Sequence, residues 1–551
     1  MVEEGEIDGL VEHQSPEELL LSVKDLVPVA IEKAREIKVF LTRWKTIISK
    51  LELVPSHLSD LSSHPCFSKN KLCNEQLQAV QKTLNEVIEL AEICVKGINR
   101  GKLQMQSDLD ALSGKLDLNL RDCGLLIKTG VLGEVAMNST SEPEVCLTEI
   151  LARLQIGHLK AKHKALDRVF EIMQEDEKNV LDVLKRSNVS ALVQLLTASS
   201  PRIREKAVTL ICNLAECGSY DDWLVEEGVL PPLVRVTESG SAVGKGKATI
   251  SLQRLSFSLD TARLIVVHGG VPPLIKICQI GDSVSQAAAS CTLKNISAVP
   301  EARQSLAEKG IIQVMINLLN CGLLSESRES AAECLQNLTS TNDNLRKCVI
   351  SEGGIPSLLA YLDVPLPQEP GVGALRNLVG SASVDILTST DLLPRLVHVL
   401  KSGSLGAQKA AASAICRVCS STEMKKMVGE AGCISLLVKM LEAKSDSCKE
   451  LAAQALSSLI TLPQNCRELK RDGNSVPNLV QLLDPSPQNT AKKYAISCLV
   501  LISSSQKCKK LMISYGAIGY LKKLCEMDIP GSKKLLERLE KGKFRSLFSR
   551  K

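Results

Sequence analysis

The sequence predicts an all-α chain in which a helical-repeat solenoid follows a small helical bundle. Three observations carry that expectation. An apolar period near 41 residues runs through most of the chain, and Gly and Pro recur at one phase of it. Aromatic residues make up only 2% of the 551, against 44% hydrophobic. A core of Leu, Ile, Val, Ala and Cys suits thin helical layers, and it argues against sandwiches, barrels and propellers, which use aromatic and β-branched residues heavily. It also argues against modules that stack bases on aromatic rings. So high an apolar content excludes wholesale disorder.

Residues 1–14 read as a flexible, acidic N-terminus without the apolar stretch of a signal peptide. Ser15-Pro16-Glu17-Glu18 reads as a helix start. Ile31, Ala34, Ile37, Phe40, Leu41, Trp44 and Ile48 follow at helical spacing, with Pro28 expected to kink or divide the region. Pro55 to Pro65 reads as a connector, and Leu72–Gly97 and Leu103–Ile127 as two more amphipathic helices. Residues 15–135 are thus expected to form an N-terminal helical bundle. Gly130-Val131-Leu132-Gly133 resembles a degenerate repeat bend. Val145–Met173 reads as a helix pair within a linking and capping segment, 136–176.

From 177 to 541 the period takes over. Its apolar anchors are Leu192, Leu233, Leu274, Met315, Leu358, Leu396, Leu437, Leu479 and Leu521, spaced 41, 41, 41, 43, 38, 41, 42 and 42 residues apart. Nine anchors in phase mark about nine stacked units. Each unit holds three helical segments. A short one, such as Thr261–Val267 or Glu301–Glu308, ends at a Gly that can take the left-handed conformation. Pro then sits in the first turn of the next helix, as in Pro272–Gln279, where its missing N–H costs nothing. A longer helix rich in Ala and Cys follows, such as Gln286–Ala298 or Arg328–Ser340.

These residues resemble the armadillo-repeat family. The resemblance is carried by the bends at Gly228-Val229-Leu230-Pro231, Gly269-Gly270-Val271-Pro272 and Gly353-Gly354-Ile355-Pro356. Third-helix endings such as Cys212-Asn213-Leu214 and Gln336-Asn337-Leu338 add to it. It implies a right-handed superhelical solenoid whose third helices line a concave groove for extended peptides. An Asn ending each third helix would pair with the peptide backbone, since its amide both donates and accepts. The groove residues implied here are Asn213, Asn295, Asn337 and Asn377, with Arg254 and Arg417 adding charge-assisted contacts. The importin-alpha adaptors of this family carry a Trp four residues before that Asn. Here those places hold Thr209, Cys291, Glu333 and Gly373, so a nuclear-import role is not expected. A bundle followed by such repeats, ending in Lys533-Lys534-Leu535-Leu536-Glu537-Arg538-Leu539, is similar to plant U-box/armadillo proteins, but no U-box segment is present.

Motifs for chemistry are sparse. Gly240-Ser241-Ala242-Val243-Gly244-Lys245-Gly246-Lys247 has the wrong spacing for a phosphate loop and no Ser or Thr after the Lys. It reads as a flexible linker between second and third helices. Cys416-Arg417-Val418-Cys419 is a lone pair without a second, and reads as buried packing. The 20 Cys are scattered singly, as reduced core residues of a cytoplasmic or nuclear protein would be. No enzyme activity, metal or other cofactor is expected. The net charge of +5 hides a split: residues 1–140 carry 16 basic and 21 acidic side chains. A near-neutral middle predicts no nucleic-acid partner. The basic tail, 542–551 with Lys541 before it, offers Lys541, Lys543, Phe544, Arg545, Phe548, Arg550 and Lys551 for contact with anionic lipid or an acidic partner. The function expected is a non-enzymatic scaffold or adaptor for a protein partner. The alternatives are an accessory or decoy part in a ubiquitin-ligase pathway and a membrane-surface tether through the tail.

Overall fold

In the computed structural model, every regular element among the described residues is a helix. Those residues are 15–64, 67–96, 101–128, 132, 142–157, 159–365 and 368–548. The chain divides into two compact units, Met1–Pro232 and Leu233–Lys551.

The first unit opens with α1 (Pro16–Arg35). Ser15 and Glu18 satisfy each other's backbone N–H groups, at 3.2 and 3.0 Å, in a reciprocal cap. Pro28 lies inside this helix and does not divide it. The hydrogen bond it forgoes is offset by a buried stripe of Val23, Val27, Ala30 and Ala34. The break falls instead at Phe40, whose φ of 52° is left-handed. The apolar row from Ile31 to Ile48 is therefore shared between α1 and α2 (Leu41–Leu51). The expected connector contains a helix, α3 (Val54–Ser62), with Pro55 in its first turn. The next two helices, α4 (Lys71–Lys96) and α5 (Lys102–Lys128), run where the periodicity puts them.

The bundle core, with Trp44, Leu77, Leu84, Leu109 and Leu116 buried, continues into Ala152 and Ile156 at the end of helix Glu142–Arg153. Polar contacts follow the same junction. Arg153 forks onto Glu75 at 2.7 and 3.0 Å, and the Gly157 N–H donates to the buried Asp122 carboxylate at 3.0 Å. Bundle and following helices are one packed body. The helix pair Glu142–Arg153 and Leu159–Glu175 occupies the segment read as Val145–Met173. Of the Gly130–Gly133 bend, only Leu132 lies within the described residues.

The second unit repeats three helices. One repeat is Leu259–Val267, Val271–Ile280 and Ser283–Ser297. The next is Arg303–Glu308 (after a 3-10 turn at Pro300–Ala302), Ile311–Cys321 and Ser325–Thr339. Gly310, at φ 80°, makes the bend between first and second helices. Its anchors from Leu233 to Leu521 are all fully buried. The segment read as a flexible linker is the start of a third helix, Ala242–Leu255, capped by the Ser241 hydroxyl on the Gly244 N–H at 3.0 Å. Gly246 lets the next third helix approach, because a β-carbon there would stand 3.1 Å from the Ser285 hydroxyl. Among the described residues no single helix is long and apolar enough to cross a membrane.

Two glycines test the backbone argument. Gly310→Ala should lower stability by about 1–2 kcal/mol through the left-handed penalty. Gly519, inside helix Ala517–Glu526 with open space around it, should gain about 1 kcal/mol on mutation to Ala. Urea unfolding of the two variants beside the parent checks both signs.

Candidate functional site

The third helices of the second unit are joined by a polar seam. Asn295 Nδ2 donates to the Ser256 hydroxyl of the preceding third helix at 2.8 Å. Asn337 repeats the contact to Ser297 at 3.0 Å. Asn377 reaches the Gln336 carbonyl at 3.0 Å and the Thr339 hydroxyl at 3.2 Å. Arg417 donates to the Arg376 carbonyl at 3.3 Å, and Arg538 to the Val500 carbonyl at 2.7 Å. The Ser and Thr hydroxyls turn back into their own helices, as Ser297 does to the Lys294 carbonyl at 2.6 Å. Each junction thereby satisfies carbonyls that the end of a helix leaves unpaired.

The residues named from sequence thus have distinct settings. Asn295 and Asn377 are buried, and their amide nitrogens are spent on the seam. Asn337 is half-buried, and its amide oxygen has no partner among the described residues. Arg254 and Arg417 are exposed. Asn213 is half-buried in helix Pro201–Cys217 of the first unit. Of the tail, residues 541–548 continue the last helix, Ser532–Phe548. Their side chains, with Arg550 and Lys551, lie outside the description.

A cavity of about 350 Å³ opens beside Asn337. Glu329, Glu333, Gln336 and Asn337 line it from helix Ser325–Thr339, and Glu369 and Pro370 from the following third helix, Gln368–Leu378. Two glycines shape it. A side chain at Gly373, where the import adaptors carry their Trp, would collide with the Gln336 amide, and one at Gly406 would collide with the Glu369 carboxylate. Burial and the neighbouring carboxylates Glu333 and Glu326 hold the Glu329 carboxyl above its usual range. Lys294 opposes them and lies 3.5 Å from Glu333. One repeat further, burial and the nearby Arg417 lower the pKa of the Arg376 guanidinium.

Sequence reasoning singled out the amides and missed the three glutamates. Glu333 and Gly373 were visible only as absences of Trp, although an acidic residue and a glycine at the same place in successive repeats is the signal that could have found the cavity. Among the described residues no three His, Cys, Asp or Glu are grouped to hold a metal ion. The lone Cys pair packs inward: burial pushes the Cys419 thiol up to about 12 and raises the half-buried Cys416, which leaves little thiolate at neutral pH.

Two family models match parts of the chain. A domain of unknown function (DUF7032) covers residues 21–131, and an Armadillo/beta-catenin-like repeat covers residues 421–461. Protein CELLULOSE SYNTHASE INTERACTIVE 3 of Arabidopsis thaliana is 28% identical over 211 residues, 34% of this chain and 9% of that protein. The chain therefore spans less than a tenth of that relative's length. The crystal structure of an engineered protein is similar with a TM-score of 0.61 and 24% identity, covering 72% of this chain and 98% of that one. That likeness concerns the fold.

Two predictions follow the geometry. Asn377→Ala removes a seam donor to the part-buried Gln336 carbonyl and the buried Thr339 hydroxyl and should destabilise by about 1–2 kcal/mol, measured by thermal unfolding. Because the Glu329 pKa is raised in the fold, its penalty is fully present above the folded pKa and fades as pH falls through the ordinary glutamate range. Glu329→Gln should therefore stabilise the protein at pH 7. That advantage should shrink toward pH 4.5, the unshifted value, in paired denaturation curves.

Proposed function

We propose that this chain, an armadillo-repeat protein, is a non-enzymatic scaffold that holds an extended segment of a partner along its third-helix face. A basic side chain of that segment would enter the cavity at Glu329, Glu333 and Glu369. The observation that carries the reading is the cavity itself, which Glu329, Glu333 and Glu369 all line, with Lys294 3.5 Å from Glu333. Burial, and after it the repulsion from Glu333 and Glu326, raises the Glu329 pKa, and an ammonium or guanidinium ion from a partner would relieve the repulsive part. The Gln336 and Asn337 amides border the same space and can serve a peptide backbone.

Charge along the face gives the segment a direction. Arg376 and Arg417 lie beyond the cavity on this and the next third helix, close enough to repel each other. A partner with a basic residue followed by an acidic one would match both places. A relative whose name describes an interacting protein supports the scaffold class. In the same reading, residues 15–135 and the helices through 176 cap the repeats of 177–541, which the core shared by the bundle and Ile156 supports.

A displayed peptide library panned on the full chain tests the proposal. Lys- or Arg-centred peptides should be enriched. Replacing Glu329, Glu333 and Glu369 together by Gln should weaken the selected peptides at least about tenfold, a loss of ~1.4 kcal/mol. Equal affinity for parent and variant, with folding intact, refutes the cavity as the binding place.

A further inference from the structure

The positive charge of this chain is gathered at one end. Residues 503–551 carry 13 basic and 4 acidic side chains, so the other 502 residues sum to −4, against +5 for the whole. Eight of the 13 basic side chains, with all four acidic ones, precede residue 541. Helices Gln506–Ser514, Ala517–Glu526 and Ser532–Phe548 pack together as the last repeat. They expose Lys507, Lys510, Lys522, Lys523 and Lys534, while Lys533 pairs with Asp528 at 3.1 Å.

One position shows that this surface is not built for stacking. The residue after each buried anchor is aliphatic in the inner repeats, as at Ile316, Leu359, Val438 and Val480, all at most 4% exposed. In the last repeat it is Lys522, and it is exposed. A further repeat laid there would bury an unpaired ammonium. A solvated end cap would be served equally by Glu, Gln or Ser. Here the cations are joined by exposed Tyr515, Tyr520 and Met527, at 52%, 36% and 44%. Tyr520, Lys523 and Met527 follow one another at i, i+3 and i+7, which places them on one side of their helix.

We propose that the outer face of this last repeat docks on an anionic membrane surface. The cations from residue 503 to 534 are all Lys, spread over three helices. Long, strongly hydrated point charges neutralise a sheet of headgroup charge, whereas reading single carboxylates or phosphates favours the planar fork of Arg. Tyr rings with an apolar body and polar tip belong at the same depth. The proposal does not depend on residues 541–551, and it is independent of the groove.

Flotation of the full chain with phosphatidylcholine vesicles, with and without about one-third phosphatidylserine, tests it. The protein should float with the anionic vesicles only, and rising salt should release it. Changing Lys510, Lys522 and Lys523 together to Glu should lower partitioning at least about twentyfold, with an unchanged circular dichroism melt. Glu329→Gln should float like the parent, which separates this surface from the groove. Three results overturn the proposal: triple-variant binding equal to the parent, loss of binding only on deleting 541–551, or capture of an acidic peptide or oligonucleotide without vesicle binding.

Discussion

A repeat of about 41 residues cannot bury its own apolar face, and the second unit depends on that constraint. Each anchor from Leu233 to Leu521 is excluded from water, and it is so because the neighbouring repeats complete its surroundings. Stability is therefore carried between neighbours. The same dependence explains the shortage of aromatic rings. Three short helices make a thin layer, and Leu, Ile, Ala and Cys fit the gap between layers without forcing them apart. Where helices must come closer still, glycine replaces them, as at Gly246 against Ser285 and Gly373 against Gln336.

Apolar stacking fixes the separation of layers but not their rotation. The polar seam along the third helices adds that direction. Asn295, Asn337, Asn377, Arg417 and Arg538 each donate to the end of the preceding third helix. Hydrogen bonds of this geometry lose their worth after a small twist, so they specify register more than they add energy. An Asn at the end of a third helix therefore cannot be assumed free for a ligand. At Asn295, Asn337 and Asn377 the amide nitrogen already belongs to the frame, and in the proposed groove what remains for a ligand is the amide oxygen of the more exposed Asn337 with the acids beside it.

The all-α class, the repeat phase, the Gly bends and the two long bundle helices were legible because each has a local cause that repeats or persists over several turns. The Pro28 division, the Pro55–Pro65 connector and the Gly240–Lys247 linker were misread for one common reason. A residue with poor helix propensity was weighed by itself, while tertiary burial or a well-placed cap decided the outcome. The cavity was illegible for another reason. Glu329, Glu333 and Glu369 come from two repeats, and on one helix each resembles an ordinary solvated acid. Only the stacking of third helices puts these three residues on the lining of one cavity.

Charge is sorted along the chain in a way that stability does not require. Interspersed signs would satisfy solubility and reduce self-repulsion. Instead the acidic residues Glu329, Glu333 and Glu369 line one cavity, guanidinium groups gather at Arg376 and Arg417, and ammonium groups over the last three helices. Glu329 and Arg376 sit on partly buried ground, where burial contributes to their shifts and unlike charges would be welcome, while Arg417 is exposed. The third gathering is largely exposed, where each charge is worth little alone and a broad opposite surface is needed to collect them. The two proposals thus assign this chain two kinds of contact: a narrow one that selects a side chain, and a wide one that responds to surface charge density.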